Sequence, residues 1–250
     1  MRWCRVRLGE SASFGIISGD VVEPVDGSPF GEYRRTGERL PLAGLRLLPP
    51  VMPPTFYAVG YNYARHIAEA AERRGTAAVL PQRPEVGYRA QSALIGHGEP
   101  VVKPAGCPGQ FEAEGELVAV LGRTVRRCSR DEAADAVLGW TIGNDVSARA
   151  WQRTDRTPWR AKNSDTFKPM GPWIETEADP LSATTTILVN GDPAAEFTTG
   201  EMIFDPFDYI AEISRYITLH PGDVVWMGAN RTVEMVPGTP WESRSPGSAC

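Results

Sequence analysis

The run Phe111-Glu-Ala-Glu-Gly-Glu-Leu-Val-Ala-Val-Leu-Gly122 decides how this chain is read. Its apolar and acidic residues alternate with period two, which predicts a strand. On that reading Phe111, Leu117, Ala119 and Leu121 point one way, and Glu112, Glu114 and Glu116 point the other. Like charges two residues apart on one strand face lie about 7 Å apart and repel. Such a face is stable when open to water or when a cation sits on it, and the strand alone leaves both readings open.

The surrounding chain narrows the class. At 250 residues it can bury a full core, as one large domain or one domain plus a small appendage. A net charge of −5 argues against nucleic acid as a partner. The arginines at 126, 127, 130, 153, 156 and 160 are interspersed with acidic residues and read as a mixed, solvated surface. Cys4, Cys107, Cys128 and Cys250 show no CxxC spacing, so they read as reduced thiols of a cytoplasmic protein, neither a disulfide frame nor a zinc site. The N-terminus lacks the apolar stretch of a signal peptide, and no apolar run approaches the roughly 18 residues of a membrane span. With 25 glycines and 22 prolines, many turns and a sheet-rich fold are expected. The fold class is therefore α+β, mostly β.

Short β-like pieces at 5–8, 13–17 and 21–25 predict a small β appendage over residues 1–50. A proline-rich link at 49–54 joins it to a larger unit over 51–250. In that unit, 56–60 reads as a buried strand and 63–74 as a helix ended by Gly75. A loop follows at 76–84. Residues 131–137 read as a helix with Ser129 as N-cap. Strands are expected at 138–142, 184–189 and 224–227, the second ending in an Asn190-Gly191 turn. Residues 206–218 read as a helix with Ile210, Ile213, Ser214 and Ile217 on one face.

Three constellations carry chemistry. Glu114, Glu116 and Asp145 offer only oxygen donors, which suits a hard cation such as Mg²⁺ or Mn²⁺ and leaves positions for substrate. His66 and Glu69 stand three residues apart on the predicted helix, where a carboxylate can orient an imidazole as a general base. A surface pair fits the same spacing. Arg149 and Lys162, in polar runs at 144–152 and 161–172, suit a carboxylate or an enolate, although capping and surface pairing fit Arg149 equally.

Together these segments resemble the fumarylacetoacetate hydrolase family. The likeness runs from 56 to 227 in the family's order: G-x-N-Y-x-x-H-x-x-E at 60–69, S-A-L-I-G at 92–96, E-x-E-L at 114–117, and G-x-T-x-x-N-D-x-S-A-R at 139–149. K-x-x-D-x-F-x-P-x-G-P at 162–172, N-G at 190–191 and T-L-x-P-G-D at 218–223 complete it. The resemblance implies layered mixed β-sheets with a few helices, and a homodimer. It implies Mg²⁺ (or Mn²⁺) on Glu114, Glu116 and Asp145, and a water-activating dyad of His66 and Glu69. Lys162 falls on the lysine that holds the developing oxyanion. Arg89 (where many members carry lysine), Arg149, Gln152, Gly228 and Ala229 fall where the substrate lies. Glu112, outside E-x-E-L, is expected to stand apart from the site. The implied substrate is a small oxo acid. The implied reaction is hydrolysis of a C–C bond in a 2,4-dioxo (acylpyruvate-type) acid. Isomerisation or decarboxylation of hydroxymuconate- or oxaloacetate-type acids in the same site, and a non-catalytic member that only binds or dimerises, are the alternatives.

The chain departs from the family twice. Met227-Gly228-Ala229-Asn230 stands where members carry T-G-T-P, so both threonine hydroxyls are missing. The tail at 238–250 lacks the closing strand pattern. One back-translation of it, read two bases later, gives D-T-V-G-I-E-I-P-G-I-G-V, which fits a shifted reading frame; resequencing the gene tests this. The expectation is a missing late strand and an exposed neighbouring edge.

Overall fold

A computed structural model describes residues 1–244. Among these residues the largest sheet has 12 strands. Its path runs Tyr33–Arg35, Val21–Gly27, Ser11–Ser18, Arg2–Leu8, Lys168–Glu175, Val137–Asn144, Gly115–Leu121, Val224–Trp226, Phe56–Val59 and Val86–Tyr88. The N-terminal strands are thus hydrogen-bonded into the main sheet, with Trp3 opposite Ile174. Two three-stranded sheets lie beside it. One joins Ser147–Ala148, Phe111–Ala113 and Val233–Glu234; the other joins Asp192–Thr198, Thr184–Val189 and Trp241–Arg244. The expected mostly-β α+β architecture of layered sheets is what is found.

The decisive stretch is two strands, not one. Phe111–Ala113 belongs to a small sheet and Gly115–Leu121 to the large one, with the break at Glu114. The Glu114 N–H donates to the Asn144 side-chain oxygen (2.9 Å) instead of to a neighbouring strand. In return Asp145 N–H donates to the Glu114 carbonyl (3.0 Å). Side-chain bonding of this kind displaces the ladder and turns the chain. Nor is one face wet: every residue of both strands is buried. Leu117, Ala119 and Leu121 pack with Tyr57, Tyr209, Ile210 and Ile213, while Val118 and Val120 pack with Phe56, Met170, Ile174 and Trp226. A central strand covered on both sides reads as continuous apolar sequence, which is what 117–121 shows.

The helices are α1 (Ala64–Arg74), α2 (Arg130–Ala136), α3 (Arg149–Thr154), α4 (Trp159–Asn163) and α5 (Pro206–Ser214). Gly75 closes α1 in the left-handed conformation, and Ser129 caps α2 through a capping box with Glu132. α5 stops at Ser214, earlier than the expected 218, and leaves Ile217 exposed. The short α3 and α4 escaped the sequence reading because neither spans two full turns, too short for an apolar period.

The tail differs from expectation. Trp241–Arg244 pairs antiparallel with Thr184–Val189, and Asn190 N–H donates to the Pro240 carbonyl (3.0 Å). The unpaired groups of that edge template the strand despite its weak pattern. The edge expected to be exposed is covered; residues 245–250 of the atypical tail lie outside the described residues.

Gly143 is required by packing. A Cβ there would lie 2.3 Å from the nearest atom of the Trp226 indole ring. Gly143→Ala is expected to destabilise the protein by about 1–3 kcal/mol, as overpacking does. The readout is a lower urea midpoint at unchanged slope.

Candidate metal centre

Three elements bring the carboxylates together. Glu114 is the residue between the two short strands, Glu116 lies one step into the main sheet opposite Gly143, and Asp145 follows the end of Val137–Asn144. One oxygen of each lies within 4.8 Å of the other two, and all three residues are buried. The donor set is oxygen only, and its spread suits a hard divalent cation with metal–oxygen distances of about 2.0–2.6 Å. Ser147 Oγ lies within hydrogen-bond reach of Glu114 Oε1 (3.1 Å) and the Asp145 carbonyl (3.0 Å), and its single O–H serves one or the other, bracing the bend.

Cations surround the triad unevenly. Arg89 grips Asp145 with Nε on Oδ1 (3.0 Å) and Nη2 on Oδ2 (2.8 Å). Lys162 Nζ bridges Asp145 Oδ2 and Glu114 Oε2, 2.7 Å from each. Lys168 Nζ lies 2.7 Å from Asp145 Oδ1. Arg149 donates through Nη2 to Glu114, through Nε to Glu112 (2.7 Å) and through Nη1 to Gln152 (2.7 Å). Glu116 makes no ion pair among the described residues and accepts the Gly228 N–H (2.9 Å). Burial, with Asp145 and Glu114 beside it, raises the Glu116 pKa well above the usual carboxylate range. Burial raises the Glu114 pKa as well, but Lys162 and Arg149 outweigh it and hold that carboxyl down at about 2. Asp145 is likewise held low, by Arg89, Lys162 and Lys168 against its own burial. A buried carboxylate without a cation is costly unless protonated or metal-bound. Glu116 is the member that most needs an ion, and this supports the fit of a metal to the triad.

The other expected residues fall differently. His66 is turned inward on α1, and its buried Nδ1 has no hydrogen-bond partner among the described residues. Burial lowers its pKa below 6.5, opposed by Glu114. Glu69 is not its partner: it accepts from Arg65 Nε at 2.9 Å across one turn. An i,i+4 arginine reaches the carboxylate more readily than an inward-facing imidazole does. The Gly228 N–H serves Glu116, at a φ of +78° that favours glycine, and the Ala229 methyl packs with Tyr63, Ile187 and Phe197. Gln152 is exposed and reaches the site only through Arg149. Glu112, expected outside, is buried and paired with Arg149. Lys168 was not singled out by the sequence; its one signal was a charged residue between Phe167 and Pro169 at the start of an apolar run.

Layered sheets holding a buried carboxylate triad with attendant lysines and arginines define the class, and the chain belongs to the fumarylacetoacetate hydrolase family. Residues 55–248 match the family described as "Fumarylacetoacetate (FAA) hydrolase C-terminal", and residues 1–50 match "Rv2993c-like, N-terminal". The chain is 38% identical over 239 residues to Protein Rv2993c of Mycobacterium tuberculosis, covering 91% of this chain and 87% of that one. It is 37% identical over 176 residues to 2,4-didehydro-3-deoxy-L-rhamnonate hydrolase of a Sphingomonas species, covering 68% and 59%. The crystal structure of 5-carboxymethyl-2-hydroxymuconate delta-isomerase from Mycobacterium smegmatis is similar with a TM-score of 0.88 at 34% identity, covering 99% of this chain and 96% of that one. No helix among the described residues is long and apolar enough to cross a membrane.

Proposed function

We propose that the chain is a Mg²⁺- or Mn²⁺-dependent homodimeric enzyme that hydrolyses a C–C bond in a small 2,4-dioxo acid. The observation that carries this is the Glu114–Glu116–Asp145 triad, with one member lacking any cation. A divalent ion held there supplies Lewis-acid stabilisation of a 2-oxo acid and its enolate. In this reading Arg149 and Lys162, which both contact Glu114, bind a carboxylate and a developing oxyanion. His66, neutral at pH 7, takes the proton from the attacking water. The water oxygen bonds to the distal carbonyl carbon; the adjacent C–C bond then breaks, its electron pair goes to the enolate of the 2-oxo acid, and the enolate carbon regains the proton that His66 took. The relatives' names, a hydrolase and an isomerase of small acids, support this substrate class.

A second reading, isomerisation or decarboxylation in the same site, is favoured by one observation: Glu69 is engaged by Arg65, so His66 lacks the carboxylate that would steer water. In that reading the metal-assisted enolisation needs no activated water. A panel of acylpyruvates, oxaloacetate and hydroxymuconate-type acids, assayed with Mg²⁺ and with chelator, separates the two. Turnover that survives chelator on every acid sinks both. Light scattering checks the dimer.

The lowered His66 pKa has a pH consequence. The neutral base persists below 6.5, so kcat/KM is expected to hold level from pH 7.5 down past 6.5 and to fall only as pH drops through the depressed value. A limb centred at or above 6.5 would place a different group, or an exposed histidine, in the role.

A further inference from the structure

Lys168 is the most deeply buried of the four cations at the triad. It opens the strand Lys168–Glu175, where it pairs with Leu94, and its side chain is completely buried. Its Nζ has three acceptors: Asp145 Oδ1 at 2.7 Å, the Phe167 carbonyl at 2.9 Å and the Val146 carbonyl at 3.2 Å. Three oxygens around Nζ, one of them a carboxylate oxygen, stabilise the ammonium form. In its ammonium form the group sets a buried positive charge against a carboxylate of the triad. Lys162 divides itself between Glu114 and Asp145, and Arg149 between Glu112 and Glu114; Lys168, like Arg89, pairs with Asp145 alone.

Charge in the pocket follows from this. Glu112, Glu114, Glu116 and Asp145 face Arg89, Arg149, Lys162 and Lys168, so four negative and four positive groups cancel when all are ionised. In that fully ionised state a divalent cation stands in excess and is repelled by the nearest ammonium, because the surroundings screen poorly. Removing one cation leaves the cluster negative and better suited to a metal. Orientation does not oppose this for Lys168: Arg89 already grips both Asp145 oxygens, and Lys162 holds Oδ2.

We propose that Lys168 is a built-in competitor of the metal, a positioning residue whose ammonium on Asp145 weakens divalent-cation binding at the triad. The inference rests on the metal reading of Glu114, Glu116 and Asp145. It follows that the site takes up metal best together with an anionic acid, which restores neutrality.

The test is Mn²⁺ binding, by calorimetry and by electron paramagnetic resonance of the free ion, without substrate. Lys168→Met removes charge and donors; Lys168→Gln removes the charge but keeps an amide donor for the carbonyls of Val146 and Phe167, and carries the test if the first fails to fold. Folded Lys168→Met or Lys168→Gln is expected to bind Mn²⁺ at least about tenfold more tightly than the parent chain, a shift of about 1.4 kcal/mol. Equal or weaker binding by the folded variants, with the parent binding Mn²⁺, overturns the role of Lys168 and leaves the metal site standing. Absence of binding in the parent and in both variants overturns the metal reading and this inference with it. Binding by a variant where the parent shows none supports both.

Discussion

Asp145→Asn is expected to lower stability by about 3–5 kcal/mol, the usual loss when one partner of a buried ion network is removed. Four charge-assisted contacts from Arg89, Lys162 and Lys168 converge on this carboxylate. Asparagine offers them one neutral oxygen and an amide that donates where they also donate. The three cations would then share too few acceptors inside the core. Lys168 relieves part of the cost, since burial has already pulled its pKa to about 7 and the loss of Asp145 makes its deprotonation easier. Arg89 has no such exit, because guanidinium stays charged. The measurement is urea denaturation in chelator, which isolates the carboxylate's structural role from metal binding. The same variant is expected to lose the metal-dependent rise in melting temperature. A variant as stable as the parent in chelator would mean that the three cations are solvated, contrary to the burial seen here.

His66→Ala is expected to lower kcat/KM by about 10²–10⁴, the range for loss of a general base. Glu69→Gln is expected to change it by less than about fivefold, because Glu69 serves a solvent-facing pair with Arg65 that is worth no more than about 1 kcal/mol. The contrast is the informative part. If both substitutions cost equally, the two side chains act as a dyad in the working enzyme, with Glu69 leaving Arg65 for the unpartnered Nδ1 of His66. If Glu69→Gln is silent while His66→Ala is severe, His66 works without a steering carboxylate, which favours enolisation over water activation. Urea midpoints unchanged in both variants confine the effect to chemistry.

Much of the site was legible in the chain because its chemistry is local. E-x-E-L placed two carboxylates one strand step apart, and N-D-x-S-A-R placed Asn144, Asp145, Ser147 and Arg149 on one short turn. Each spacing needs only backbone geometry; that the two motifs meet was implied by the family resemblance, and the structure brings their carboxylates within 4.8 Å of one another. Helix α1 with its Gly75 cap and α2 with its Ser129 box were equally legible, since each end is signalled by residues within one turn. The mostly-β class followed from turn-forming residues between short apolar runs.

What the chain could not disclose is what each group faces. Alternation at 111–116 left a wet acidic face and a cation-bearing one both open, because burial is a property of neighbours distant in sequence, such as Trp226 and Gly143. The i,i+3 spacing of His66 and Glu69 permitted a dyad; only packing showed the imidazole turned in and the carboxylate held by Arg65. The tail at 241–244 had no strand pattern, and the open edge of Thr184–Val189 supplied one. Glu112 and Lys168 carried no motif and became part of the site through non-local ion pairing. By itself, then, the sequence determined the Glu114–Glu116 pair and the helix ends through short-range covalent spacing, and its ordered motifs, through the family resemblance, supplied the family and Asp145 as third carboxylate. The tertiary structure decided which charges are buried and who neutralises whom, because desolvation and ion pairing depend on distances between residues that lie far apart along the chain.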